Sequence, residues 1–169
     1  MTKPAPKHQA YTHLLPTLFD RLSDDHPHQT SEPAEAFTVT RKKMREIIQR
    51  DLAYLLNTTN MDDLMHYPQD EAIRYATTNY GIPPLAGSYL SSHQWRHIER
   101  CIRQAIIHFE PRLIPEALHI VPHQHKDSEH HYNILSFEIH GLIHMDPYPM
   151  EFLMQSTLDF ENNRLSVSQ

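Results

Sequence analysis

Hydrophobic residues recur at three- and four-residue steps through the first two thirds of the chain and at two-residue steps through the last third. The first spacing is typical of one face of an α-helix, and the second of one face of a β-strand. The pattern predicts helices at about 14–23, 41–57 and 69–80, and a fourth helix that begins after Ser91 and ends at Phe109. Strands are predicted at 117–121, 133–143, 150–160 and 164–167.

This order of elements predicts an α+β fold, in which N-terminal helices pack on one face of a small antiparallel C-terminal sheet. The predicted buried residues of the two long helices are Met44, Ile47, Ile48, Leu52, Leu55, Leu56, Trp95, Ile98, Ile102, Ala105, Ile106 and Phe109. On the two long strands they are Leu135, Phe137, Ile139, Phe152, Met154, Ser156, Leu158 and Phe160. Thr40 is suited to a helix N-cap, Gly81 to the residue after a helix, and Asn162-Asn163 to a two-residue hairpin turn. We expect the sheet to keep at least one unpaired edge.

The first 37 residues are predicted to be a flexible N-terminal arm that carries one short amphipathic helix, at about 14–23. Residues 38–169 are predicted to form a single α+β domain. A helix of this length is not stable alone. It therefore either folds back onto its own domain or docks on a neighbouring protein, and the pattern favours the neighbour only slightly.

Composition narrows the functional class. No run of 18 apolar residues exists, and the N-terminus lacks the apolar segment of a secretory signal, so we expect a cytoplasmic protein. The single cysteine, Cys101, fits a reducing compartment. The net charge of −6 is uneven, because residues 41–112 hold ten Lys/Arg against eight Asp/Glu, whereas residues 117–169 hold two against seven. These cations lack the interleaved aromatics of a nucleic-acid surface, so docking on several protein surfaces is the better interpretation.

The junction between the helical and strand halves is the strongest candidate site. Glu110 and Arg112 flank Pro111, which cannot lie inside a helix. The two charges are therefore held in a stiff turn, with little freedom to lose when they meet a partner. The alternative is a plain helix stop that carries two solvated charges.

Other candidate chemistry is weaker. Imidazoles at His123, His125, His130 and His131 offer nitrogen ligands for zinc or nickel. Their spacing matches no zinc motif, so adventitious binding is favoured over a functional metal site. Carboxylates such as Glu110, Glu138 and Asp127 are too common in an acidic chain to indicate a glycosidase. With three glycines, the sequence has no phosphate-binding loop. No catalytic residue, metal or cofactor is predicted.

Several blocks, read in order, resemble one family: the type VI secretion baseplate subunit TssE, related to a small wedge protein of contractile phage tails. The blocks are Leu18–Leu22, Arg50–Thr58, Asn79–Pro83, Phe109–Leu113 and Leu135–Ile139, together with the Asp146-Pro147 turn and the final hairpin. They cover most of residues 14–167. The histidine-rich loop at 122–131 is the clear departure from the family pattern.

The resemblance implies a non-enzymatic subunit that sits in the baseplate wedge at the cytoplasmic face of the inner membrane. Its implied partners are other wedge proteins and the sheath subunits, without nucleic acid. Glu110, Pro111 and Arg112 match the family's Glu-Pro-Arg signature, which is implied in docking to the sheath. Sheath subunits link by lending strands, so the resemblance implies an acceptor edge beside this turn, at either 117–121 or 165–167. The alternative is a peptidoglycan-cleaving, lysozyme-like enzyme that uses Glu110.

Overall fold

The computed structural model describes residues 17–22, 27–28, 39–62, 71–85, 92–123, 134–162 and 164–168. The chain divides into two compact units, residues 1–46 and 47–169. The arm boundary predicted near residue 37 stays a prediction. Four α-helices occur in the described residues: α1 (Leu18–Leu22), α2 (Arg41–Asn57), α3 (Glu71–Arg74) and α4 (Ser92–Phe109).

Both long helices are confirmed. The N-cap prediction for α2 also holds, because the Lys43 backbone N–H donates to Thr40 Oγ1 at 3.2 Å. In the first unit, α1 exposes its apolar residues Leu18, Phe19 and Leu22. The predicted start of this helix, residues 14–16, lies outside the described part of the chain.

The helix predicted at 69–80 is wrong in its length. It ends at Arg74 and is followed by a separate 3-10 turn, Thr77–Asn79, since Ala76 adopts an extended backbone. The buried side chain of Asn79 gives the physical reason. Its amide donates to the Arg74 carbonyl at 2.9 Å and accepts from the Met61 backbone N–H at 2.8 Å. A side chain that competes for backbone groups in this way favours a turn over a continued helix.

The sheet has four antiparallel strands in the order β1-β2-β3-β4, which confirms the α+β class. The strands are β1 (His119–His123), β2 (Ile134–Ile143), β3 (Met150–Asp159) and β4 (Arg164–Ser168). The first strand begins two residues later than predicted, because Pro115–Ala117 forms a 3-10 turn.

The last hairpin also differs from the prediction of a two-residue turn. Its final strand pair is Asp159 with Arg164, so the connection has four residues. The Asp159 carboxylate accepts hydrogen bonds from the backbone N–H groups of Glu161 and Asn162 and from the Asn162 side chain. These bonds lower the pKa of Asp159. A carboxylate cap of this kind stabilises the longer loop.

The alternating positions of β2 and β3 are buried on one face of the sheet as predicted, including Phe137, Ile139, Phe152, Met154 and Leu158. Helices meet that sheet at several points. Trp95 of α4 lies against Phe137, with ring centroids 6.1 Å apart. Gln49 of α2 donates to the Leu153 carbonyl at 3.3 Å.

Gly81 lies where the segment before α4 pairs with the segment after α2. The Ile82 N–H donates to the Thr58 carbonyl, and the Asn60 N–H donates to the Ile82 carbonyl, both at 2.9 Å. Gly81 has a φ of 126°, and a Cβ at this position would lie 2.2 Å from the Thr58 carbonyl oxygen. Glycine is therefore required here by close backbone approach. Its predicted place directly after the helix at 69–80 is wrong, because that helix ends at Arg74.

Candidate protein-docking site

The Glu-Pro-Arg corner, defined as residues Glu110, Pro111 and Arg112, begins where α4 ends. The Glu110 N–H makes the last helical bond, to the Ile106 carbonyl at 2.8 Å. Pro111 has no N–H with which to continue the helix. The chain then turns, and the Leu113 N–H donates to the Glu110 carbonyl at 3.2 Å. The corner is therefore a defined turn, as the sequence predicts.

Backbone bonds fix this corner to the end of β2. The Ile114 N–H donates to the Leu142 carbonyl at 2.8 Å, and the His144 N–H donates to the Arg112 carbonyl at 2.7 Å. Leu113 lies opposite Ile143 in this short antiparallel bridge. β1 pairs with the same side of β2. The corner therefore lies in line with β1, along the same margin of the sheet.

The two charges of the corner face each other. Glu110 is 3% exposed. Arg112 Nε donates to Glu110 Oε1 at 2.5 Å, and Arg112 Nη2 donates to Glu110 Oε2. The backbone N–H of Arg112 also lies 3.3 Å from Glu110 Oε1. This is a bidentate, charge-assisted pair, the strong class of side-chain hydrogen bond.

Arg112 also reaches α2. Its Nη2 donates to Asp51 Oδ2 at 2.7 Å, so one guanidinium connects the end of α4 to the middle of α2. Arg50 donates to the other Asp51 oxygen at 2.7 Å. Two cations and two carboxylates therefore form a neutral cluster. Burial lowers the pKa of Arg112, but hydrogen bonds to Glu110 and Asp51 outweigh burial and hold the pKa above its ordinary value.

Tyr80 also contacts this cluster. Its hydroxyl lies 3.4 Å from the Asp51 carbonyl, and its ring packs edge-on against Phe109 with centroids 5.2 Å apart. Burial raises the pKa of Tyr80, and the nearby carboxylates of Asp51 and Glu110 raise it further. The hydroxyl therefore stays protonated at neutral pH and can donate.

The alternative of two solvated charges is wrong for Glu110, which is buried and fully engaged. Pro111 is exposed, and the side chain of Arg112 is 26% exposed. Sequence reasoning missed Asp51 and Tyr80 as members of the site. Both lie in blocks quoted for the family resemblance, but spacing alone gives no sign that residues so distant from the corner meet there.

The histidine-rich loop is described only in part, because residues 124–133 lie outside the described ranges. His123 at its start contacts Glu138, with His123 Nε2 2.7 Å from Glu138 Oε1. Among the side chains that the structure describes, no group of three or more His, Cys, Asp or Glu is arranged to hold a metal ion. Within the same described ranges, none of the helices has the length and hydropathy needed to span a membrane.

The structure is an α+β fold in which a charged corner joins α2 and α4 to one margin of an antiparallel sheet. The sequence profile of the family described as baseplate wedge protein gp25 matches residues 42–148. This match covers more than half of the chain, so the chain belongs to that family. TssE proteins belong to the same family, which confirms the resemblance seen in the sequence.

The matched region includes all of α2 except its first residue, together with α4, the Glu-Pro-Arg corner, β1 and β2. A search of curated proteins and a search of solved structures each found no match. The family is one of structural baseplate proteins in assemblies related to phage tails, and such a protein assembles with other baseplate components.

Proposed function

We propose that the chain is a type VI secretion baseplate subunit of the TssE kind, which docks in the wedge and starts assembly of the contractile sheath. It acts without enzymatic activity or cofactor, at the cytoplasmic face of the inner membrane. Family membership and the quoted sequence blocks support this assignment. The observation that carries it is the corner itself, in which Arg112 joins Glu110 at the sheet margin to Asp51 of α2.

The corner supports docking because it is held in one conformation. Backbone bonds fix it to β2, and side-chain bonds fix it to α2. Exposed Pro111 and the accessible quarter of Arg112 are therefore presented in a fixed orientation. A preorganised surface loses little conformational entropy on binding, which leaves more of the contact energy for affinity.

The enzyme alternative receives no support from this geometry. A general acid must come within hydrogen-bond distance of the bond that it cleaves. Glu110 is 3% exposed, and both of its carboxylate oxygens are engaged by Arg112. The same contacts agree with a carboxylate that positions Arg112.

The test uses bacteria whose own copy of the gene is deleted and whose sheath subunit carries a fluorescent tag. The double variant Glu110→Gln/Arg112→Met removes the charges of the corner together, so no buried charge is left alone. We expect it to accumulate normally and to build few sheaths. Arg100→Met, which removes an exposed arginine of α4, is the matched control and should build them normally.

Full-length sheaths at wild-type frequency in the double variant would refute docking through the corner. Purified wild-type protein should also leave peptidoglycan intact. Cleavage that is lost in Glu110→Gln would instead establish the enzyme.

A further inference from the structure

The outer edge of β4 is occupied by a side chain that imitates a peptide group. The Leu165 N–H donates to Asn57 Oδ1 at 2.8 Å, and Asn57 Nδ2 donates to the Leu165 carbonyl at 3.0 Å. A neighbouring strand would offer the same pair, one carbonyl and one N–H. The amide of Asn57 therefore takes the place of one residue of a fifth strand.

The direction of the remaining β4 groups follows from this contact. Along a strand, the N–H and C=O groups of successive residues point alternately to the two sides. The backbone N–H and C=O of Leu165 point away from β3, since both bond to Asn57. The backbone groups of Val167, two residues further along β4, therefore point to the same side. In the described part of the chain, no hydrogen bond holds the outward groups of Val167.

The edge formed by β1 is different. The backbone groups of Leu142 and His144 bond to the corner, so by alternation every second residue of β2 points to this side. The residues of β1 that lie opposite them, His119, Val121 and His123, therefore bond to β2. The backbone groups of Ile120 and Pro122 therefore point away from β2, toward the open side of β1. Pro122 has no N–H to offer, and prolines on edge strands are known to block pairing in this way.

A second group restricts the same edge. The carbonyl of Leu118, just before β1, accepts a hydrogen bond from Arg103 Nη1 at 2.5 Å. Ile120 is then the only outward residue of β1 among the described ones that retains both a donor and an unoccupied acceptor. A single such residue cannot support a paired strand of useful length.

We infer that β4 is the acceptor edge of the sheet, and that Asn57 is a placeholder which the incoming strand replaces. The inference rests on the proposed function for the source of that strand, an extended segment of a sheath subunit. Side chains that lie opposite one another on neighbouring strands share a face. The segment should therefore place apolar residues beside Leu165 and Val167 and a polar residue beside Ser166.

The side chain of Asn57 can release Leu165 at little cost. Its Nδ2 also donates to the Ala53 carbonyl one turn earlier in α2, at 2.9 Å. An amide that swings away from Leu165 can thus keep a hydrogen bond to its own helix. Asn57 is also exposed, so its other groups become hydrated on release.

The experiment compares variants that alter one outward N–H at a time, in the full chain co-expressed with tagged sheath subunits. Val167→Pro removes an outward N–H of β4 without breaking the bonds to β3, and Val167→Ala is its matched control. We expect Val167→Pro to lower co-purification of the sheath subunits at least tenfold and Val167→Ala to retain it within twofold. Pro122→Val, which restores a donor to β1, should leave binding unchanged.

Asn57→Ala tests the placeholder. The incoming strand no longer has to displace two hydrogen bonds, so its affinity should rise by about tenfold. A loss of affinity in Asn57→Ala refutes displacement. Binding that survives Val167→Pro refutes β4 as the acceptor, and a gain in Pro122→Val points to β1 instead.

Two further outcomes separate this inference from the proposed function. Wild-type protein that never co-purifies with sheath subunits contradicts the proposed function itself, whichever edge is altered. Self-association of Asn57→Ala in sedimentation experiments, without gain in sheath binding, makes a second copy of the chain the occupant and overturns the inference.

Discussion

Removal of the Arg112 side chain should destabilise the fold more than any ordinary surface substitution. Arg112→Met keeps much of the apolar length and deletes the guanidinium. It leaves Glu110, whose side chain is 4% exposed, without its partner, and Asp51, 25% exposed, without one of its cations. A buried charge that loses its partner costs about 3–5 kcal/mol.

The lower end of that range applies here. Arg112 is itself 26% exposed, and water can rehydrate Asp51 after the substitution. We therefore expect a loss of about 3 kcal/mol in the free energy of unfolding. With a urea dependence of about 2 kcal/mol per molar, the midpoint should fall by about 1.5 M.

Urea unfolding of the full chain, followed by circular dichroism and by the fluorescence of the single tryptophan, Trp95, measures this change. Arg100→Met is the matched control and should lie within about 0.5 kcal/mol of wild type. A double-mutant cycle with Glu110→Gln isolates the pair. The double variant should be more stable than the sum of the two losses predicts, by about 1.5–3 kcal/mol. A loss below 1 kcal/mol in Arg112→Met, or additive losses, would refute the corner as a coupled ion pair.

Two other substitutions follow from the geometry. Gly81→Ala puts a Cβ 2.2 Å from the Thr58 carbonyl oxygen at a φ of 126°, so it should cost about 2–3 kcal/mol in the same urea assay. Glu138 accepts bonds from His123, Gln155 and His140, which lower its pKa from 4.5 to about 2. Its contribution to stability is complete above about pH 4.5 and is lost as the pH falls toward 2. Thermal unfolding from pH 5 to pH 2 should therefore show a shallower fall in Tm for Glu138→Gln than for wild type.

The long helices and the strands of this fold could be predicted from local sequence patterns. The alternation in β2 and β3 predicted which side chains are buried, because the two-residue period of a strand leaves one choice of inner face. The stripe of α2 and its N-cap at Thr40 were likewise visible in the sequence. These features depend on neighbours within a few residues.

Features that depend on distant residues were not visible. Asp51 meets Arg112 across 61 positions, and Asn57 meets Leu165 across 108. Asn79 ends a helix early because its partners come from Met61 as well as Arg74. In each case a polar side chain bonds to a backbone group or a charged side chain of another element. A single sequence carries no periodic signal for such a pairing.

One helix connects the two margins of the sheet. Asp51 reaches the corner beside β1, and Asn57 reaches the outer edge of β4. Six residues of α-helix place them about 9 Å apart along its axis. Because a helix of 17 residues packed by its apolar face is stiff, the corner and the β4 edge keep a fixed relation to each other. A sheath partner that docks on the corner and adds a strand to β4 would then need both contacts in that relation. We therefore expect a partner that engages only the corner or only the β4 edge to bind more weakly than one that engages both.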